Sequence, residues 1–415
     1  MSDSRPIEVD VAIVGGGPAG LAAAMALRAG GVARVTVLER EEAAGGIPRH
    51  CGHPPFGLRE FRRLMTGPAY ARHLVAAALA AGVDIRPRHS VVRLHPGGQL
   101  DLASPDGTRQ MAARRVILAT GVRETPRSAR LIDGDRPLGV INTGALQAYT
   151  YLEQLRPFAR PVIVGTELVA FSALLTCRKA GIRPVAMIEA GTRATARWPT
   201  SLAPRLLGVP LHLRTQLVEI RGRKNVEGVV AAGPDGTPRE IACDGVILTG
   251  QFQPAAELVR ASHLRLDAGS GGPAIDQFGR CSDPAFFAAG NLLRPVETAG
   301  WSWREGRRVG ETVAQDLAGA LPASTREVVI ERDAHIKLVV PQRLAWPQFG
   351  AGIGDHVQLR VARAIAGTLS ARANGQVIWQ RPIDTLPERR ILVPLDALPI
   401  PADARSILFQ IDPRG

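Results

Sequence analysis

From Glu8 the chain reads EVDVAIVGGGPAGLAAAMALRAGGVARVTVLERE: an apolar run, a glycine cluster, an alanine-rich stretch and a second apolar run that ends on an acid. Gly15, Gly17 and Gly20 form G-x-G-x-x-G, and the spacing predicts a strand, a tight turn, a helix opened by Pro18 and Ala19, and a second strand over Val35–Leu38. Each glycine answers a separate need: the sharp turn, close approach of backbone to a pyrophosphate, and tight packing of helix on strand. The pyrophosphate then lies at the helix N-terminus, where unpaired N–H groups and the dipole favour an anion. Glu39 follows 24 residues after Gly15, at the reach of a carboxylate that binds ribose hydroxyls, with Arg40 beside it.

This unit occupies a small part of 415 residues, a length that implies two or three domains at about 150 residues each. An apolar fraction of 45% with 21% charged residues describes a globular chain. The net charge of +13 invites an anionic partner, but of 51 Lys and Arg only Lys179, Lys224 and Lys337 are lysine, and the arginines are scattered. With no recognition motif, a nucleic-acid surface is not expected. Cys51, Cys177, Cys243 and Cys281 show no paired spacing, so neither a metal site nor a disulfide framework is expected. The N-terminal MSDSRPIEVD lacks a targeting pattern, and no apolar run approaches the about 18 residues of a membrane span, so the expected location is cytoplasmic without a transmembrane segment.

After Glu39 comes the glycine- and proline-rich GGIPRHCGHPPFG, then an apolar strand ending at Ala119, Thr120 and Gly121, and later PAFFAAGN over Pro284–Asn291. This order resembles the FAD domain of the two-dinucleotide-domain flavoproteins related to thioredoxin reductase. The resemblance implies that Gly46, Ala119, Thr120, Gly121, Gly290 and Asn291 pass close to the flavin, with Asn291, where those proteins usually have Asp, reaching the ribityl chain. It also implies that Thr298, Ala299 and Gly300 open a helix facing the flavin pyrimidine edge.

Arg160–Glu189 repeats the pattern of strand, turn, helix, strand and acid, where those flavoproteins carry an inserted NAD(P)H domain. Here only Gly165 survives; Glu167 and Ala170 stand at the second and third glycine positions. An anionic side chain at the point of closest approach opposes a pyrophosphate, so FAD is the expected cofactor and NAD(P)H is not, unless a one-residue shift of the turn moves Glu167 aside. The segments Gly45–Ala71, Gly121–Arg127, Arg136–Gln147, Phe286–Asn291 and Val339–Leu344 resemble one branch, the FAD subunits of anaerobic glycerol-3-phosphate dehydrogenase, opine oxidase and hydrogen cyanide synthase. The implied fold is α/β: two nested Rossmann-like three-layer ββα units, FAD-binding over residues 1–125 and 248–320 and NAD(P)-binding-like over 126–247, with a small C-terminal antiparallel β-module over 326–415. A break at Gly319–Thr325 reads as a linker, and Asn374-Gly375 signals a hairpin.

Candidate chemistry lies in the loop His50, Cys51 and His53. A histidine there can take a proton from an amine or alcohol during hydride transfer, and a thiolate can contact the flavin. With Cys51 the one cysteine where related disulfide reductases carry a pair, a dithiol relay is not expected. Trp301 and Trp303 are candidate pocket walls, and Glu124 with Arg127 a candidate ion pair or hinge contact. The reading is an FAD-dependent dehydrogenase with a small-molecule substrate, paired with a second oxidoreductase subunit or with itself. Two alternatives stand beside it: an NAD(P)H-dependent flavin oxidoreductase, and a non-catalytic FAD-bearing scaffold.

Overall fold

The computed structural model describes residues 6–322, 324–346 and 355–414. Met1–Arg5 and, within the linker, Ala323 lie outside the described residues. Ile7–Val14 pairs in parallel with Val35–Leu38 on one side and Gly107–Leu118 on the other. Asp84–Arg86 adds to one edge, and Phe286–Ala288 returns from far along the chain to pair with the end of Gly107–Leu118. Central parallel strands are covered on both faces, which is why VAIV and FFA are unbroken apolar runs and VTVL is broken only by Thr36, whose hydroxyl donates to Asp84; all are buried. An antiparallel meander of Ser90–His95, Gln99–Ser104 and the first half of Gly107–Leu118 forms the further β-layer.

The helices Pro18–Ala29 and Ala299–Leu317 cross at backbone contact distance. A Cβ on Gly306 would collide with the carbonyl of Ala19, and one on Gly310 with that of Ala23. Small residues on both helices permit this approach, and it brings the two N-termini to one edge of the sheet.

A second parallel sheet runs in the order Leu211–His212, Ala186–Ile188, Pro161–Val164, Gly245–Leu248 and Val140–Asn142, packed on helices Thr143–Tyr151 and Leu168–Lys179. Four strands, Pro238–Ala242, Gly228–Ala232, Gln216–Arg221 and Asp133–Gly134, form its companion sheet. The chain enters through Val122–Glu124 and leaves through Phe252–Pro254, which pair antiparallel. At this crossing Glu124 and Arg127 do not pair with each other, and of the two expectations it is the hinge contact that Glu124 makes. Glu124 accepts from the amides of Gly144 and Gly250, whereas Arg127 donates to the carbonyls of Asp133 and Asp135, because each finds nearer backbone partners.

The C-terminal residues form two facing sheets around a core that includes Val357, Leu359, Leu369, Ile407 and Phe409. The hairpin Ile365–Ala373 and Gln376–Thr385 turns at Asn374 and Gly375, both with positive φ, the backbone that a two-residue turn of this twist requires. One departure from an all-antiparallel module is the parallel pairing of Arg326–Arg332 with Ser406–Pro413. Among the described residues no helix is long and apolar enough to cross a membrane.

Substituting Gly306→Val forces the helix pair apart. Urea unfolding is expected to show a loss of about 1–3 kcal/mol, and an unchanged midpoint would contradict the contact described.

Candidate functional site

Gly15, at φ +112°, lies against the end of Gly107–Leu118, so that a Cβ would sit 2.5 Å from the Ala119 carbonyl oxygen. Gly17 is different. Its backbone is extended, and the nearest atom to an added Cβ is the Gly46 Cα at 3.9 Å. Nothing in the protein itself demands glycine there. The helix it precedes has no side-chain cap, so an open space faces unpaired N–H groups, and these fit a pyrophosphate. Glu39 is 7% exposed and accepts from the amides of Gly16 and Glu41, both at 3.0 Å. Beside it a shallow surface cavity of about 360 Å³ is lined by Arg40, Glu41, Arg88 and Ser104, adjacent to where a ribose and its base would extend.

Gly46 touches Gly17, and the Gly45 amide donates to the Gly16 carbonyl at 2.7 Å, so the loop carrying His50, Cys51 and His53 departs directly from the glycine turn. Thr120 and Gly121 follow the Ala119 strand end, with the Thr120 hydroxyl donating to the Ala255 carbonyl. The Gly290 amide donates to Glu305 at 2.7 Å. Asn291 has less reach than the resemblance implied. Its carboxamide accepts from the Glu297 amide and donates to the Glu297 carbonyl, which leaves one N–H uncommitted. Thr298, Ala299 and Gly300 do begin a helix, yet the Glu60 carboxylate lies against Gly300, held also by the Tyr70 hydroxyl at 3.2 Å. That acid, unremarkable in GLREF, partly offsets the positive helix end.

The three loop candidates separate cleanly. Cys51 is buried, its thiol donates to Gln147, and burial pushes its pKa up to about 12, so it is a thiol rather than the anticipated thiolate. His53 Nδ1 faces the Pro54 carbonyl and must donate to it, and in that tautomer Nε2 accepts from the Ser172 hydroxyl. Ser172 in turn accepts from Gln147 at 2.7 Å. A directed chain therefore runs Cys51, Gln147, Ser172, His53, joining this loop to helices Thr143–Tyr151 and Leu168–Lys179. His50 stands outside it: its Nδ1 is buried without a partner, and burial followed by the Arg49 charge lowers its pKa to about 4. Trp303 lies edge-on to Phe61, while Trp301 turns toward the C-terminal sheets beneath Arg390 at 4.1 Å.

The second turn repeats the geometry with different chemistry. Gly165 has φ +113°, and Glu189 accepts from the Thr166 hydroxyl and the Gly191 amide. The Glu167 carboxyl folds into the crevice beyond the strand ends, accepting from the Thr249 hydroxyl at 2.8 Å and covering Gly250. Burial raises its pKa, with Glu189 also contributing. Arg130 closes the same crevice, donating to the carbonyls of Thr125, Thr249 and Gly250. Gln147, Ser172, Glu60 and Arg130 carried no signal in the sequence, because each matters through a partner distant in the chain. No group of three or more His, Cys, Asp or Glu is arranged to hold a metal among the described residues.

A family model described as pyridine nucleotide-disulphide oxidoreductase matches residues 9–306. The chain is 26% identical to an opine oxidase subunit of Rhizobium meliloti over 63% of this chain, but spans only 56% of that relative. It is 30% identical to the ferredoxin–NAD(+) reductase component of the biphenyl dioxygenase system of Paraburkholderia xenovorans, covering 71% of this chain and 69% of the relative. Among solved structures, thioredoxin reductase of T. acidophilum superposes with a TM-score of 0.63 at 23% identity, covering 74% of this chain and 98% of that one.

Two outcomes follow. Gly17→Glu fills the open space with a carboxylate, and the purified variant is expected to fold but to lack flavin absorbance; a yellow variant would contradict the placement. Cys51, Cys177 and Cys243, whose pKa values are raised by burial to about 12, 12 and 11, remain protonated at pH 8, as does the still more strongly shifted Cys281. The native protein should therefore resist a thiol reagent that labels all four once unfolded.

Proposed function

We propose that this chain, which belongs to the pyridine nucleotide-disulphide oxidoreductase family and is an FAD-dependent oxidoreductase, acts as a dehydrogenase. Its substrate on this reading is a small amine, amino acid or alcohol, and its electrons pass to a partner subunit or quinone. The observation that carries the reading is the contrast between the two turns: open space at Gly17, a folded carboxyl at Glu167. The names of the opine oxidase relatives, each one subunit of an enzyme, support a partner.

Bound FAD supplies a two-electron acceptor for hydride. The remaining work falls to the chain. Gly17 and the N-terminus of helix Pro18–Ala29 bind the pyrophosphate, Glu39 orients the ribose, and the His50 imidazole takes the N–H or O–H proton of the substrate as its C–H bond is oxidised. Of the loop candidates His50 is preferred because Cys51 and His53 have already committed their polar atoms.

A second reading, NAD(P)H-linked reduction, is favoured by the ferredoxin–NAD(+) reductase relative. Anaerobic spectra distinguish the readings. Bleaching of the flavin band by an amine, an amino acid or sn-glycerol 3-phosphate, and not by NADH or NADPH, is the expected result. Bleaching by NADH as fast in wild type as in Glu167→Gly would overturn it, and a flavin that no reductant bleaches would indicate a scaffold. His50→Gln should slow reduction by about 100-fold or more with FAD retained. In the wild type, kcat/KM should fall below about pH 4 as His50 becomes protonated.

A further inference from the structure

Between the helix Ala299–Leu317 and the C-terminal sheets lies a cavity of about 190 Å³ that the flavin reading does not use. Arg294 forms part of its wall and is 3% exposed. Its guanidinium donates through Nε to Gln358 at 2.9 Å and through Nη2 to Glu305, but Nη1 is buried without a partner. Two further arginines, Arg304 and Arg308, line the same space from successive turns of the helix. The acids nearby are already engaged: Glu305 by Arg294 and the Gly290 amide, Asp276 by Arg280, and Asp355 by Arg308 at 3.6 Å. The opposite wall is aromatic and apolar, from Trp301, His356, Val340 and Pro341.

We infer that this cavity is a binding site for a small organic carboxylate. The space holds about six waters at liquid volume, enough for an amino-acid-sized body. A carboxylate matches the fork of a guanidinium and gives charge-assisted hydrogen bonds stronger than those between neutral groups. The apolar wall selects against inorganic phosphate, which has no surface to place on Val340 and Pro341. His356 stands on the same wall, where burial first and then the charges of Arg294, Arg308 and Arg390 lower its pKa against the opposing Asp355. Occupancy is felt at the flavin edge, because Arg294 holds Glu305, and Glu305 holds the amide of Gly290. The site stands independently of which reductant the enzyme uses.

Calorimetric titration of the FAD-loaded protein with butanoate, succinate and inorganic phosphate at low ionic strength tests it. One saturable site for a carboxylate, with phosphate at least tenfold weaker, is expected. Arg294→Lys keeps the charge but loses the fork, and should weaken the carboxylate about tenfold or more. Since that variant disturbs a buried pair, Arg304→Glu on the exposed rim provides the second reading, with a loss of about fivefold or more. Absence of saturable carboxylate binding, equal affinity for phosphate, or affinity unchanged by Arg304→Glu would overturn the assignment.

Discussion

The contact of helix Ala299–Leu317 on helix Pro18–Ala29 governs much of the rest. Backbone meets backbone there because Gly306 and Gly310 face Ala19 and Ala23, and dispersion at that distance rewards an approach no larger side chain would permit. The later helix follows Phe286–Ala288, which pairs with the strand ending at Ala119, so one crossing joins the first and last parts of the parallel sheet. Two helix N-termini, Gly46 and the Gly290 turn consequently share one edge. The dinucleotide site is a by-product of that convergence.

The two glycine turns share one backbone geometry and differ in the side chains they carry. Gly15 and Gly165 have nearly the same φ, and in each unit an acid at the second strand end reaches back to the turn. What differs most at the closest approach is Glu167 in place of Gly17, with Ala170 in place of Gly20 behind it. A buried carboxyl there costs desolvation, visible as its raised pKa, and is tolerated because Thr249 and Arg130 partly compensate. The second unit thus keeps the strand, turn and helix geometry while a folded carboxyl occupies its crevice beside Arg130.

Much of this was legible in the chain itself, for reasons that differ by element. The first turn could be read because glycine spacing, buried strands and an acid in register are all local consequences of one backbone geometry. The second could be read, with its defect, for the same reason. The Asn374-Gly375 hairpin was visible because its positive φ values restrict the residues allowed. The roles of Cys51 and His53 were not, since a thiol's pKa depends on burial and the partner of His53 Nε2 is Ser172, 119 residues away. Glu124 misled for a related reason: proximity to Arg127 in sequence lost to backbone amides supplied by the distant crossing. Glu60 at Gly300 and the arginines around Arg294 likewise become meaningful only when the C-terminal sheets and the loop close on the long helix.

The chain of donors from Cys51 through Gln147 and Ser172 to His53 spans the seam between the two nested units, and the Tyr151 ring fits over Gly52 beside it. Every donor points in one sense, so the groups polarise one another. Swinging the second unit away would strip several buried polar atoms of partners together. The seam therefore behaves as a latch that holds the second unit against the first as a fixed wall, lending rigidity to the loop that leaves the first glycine turn.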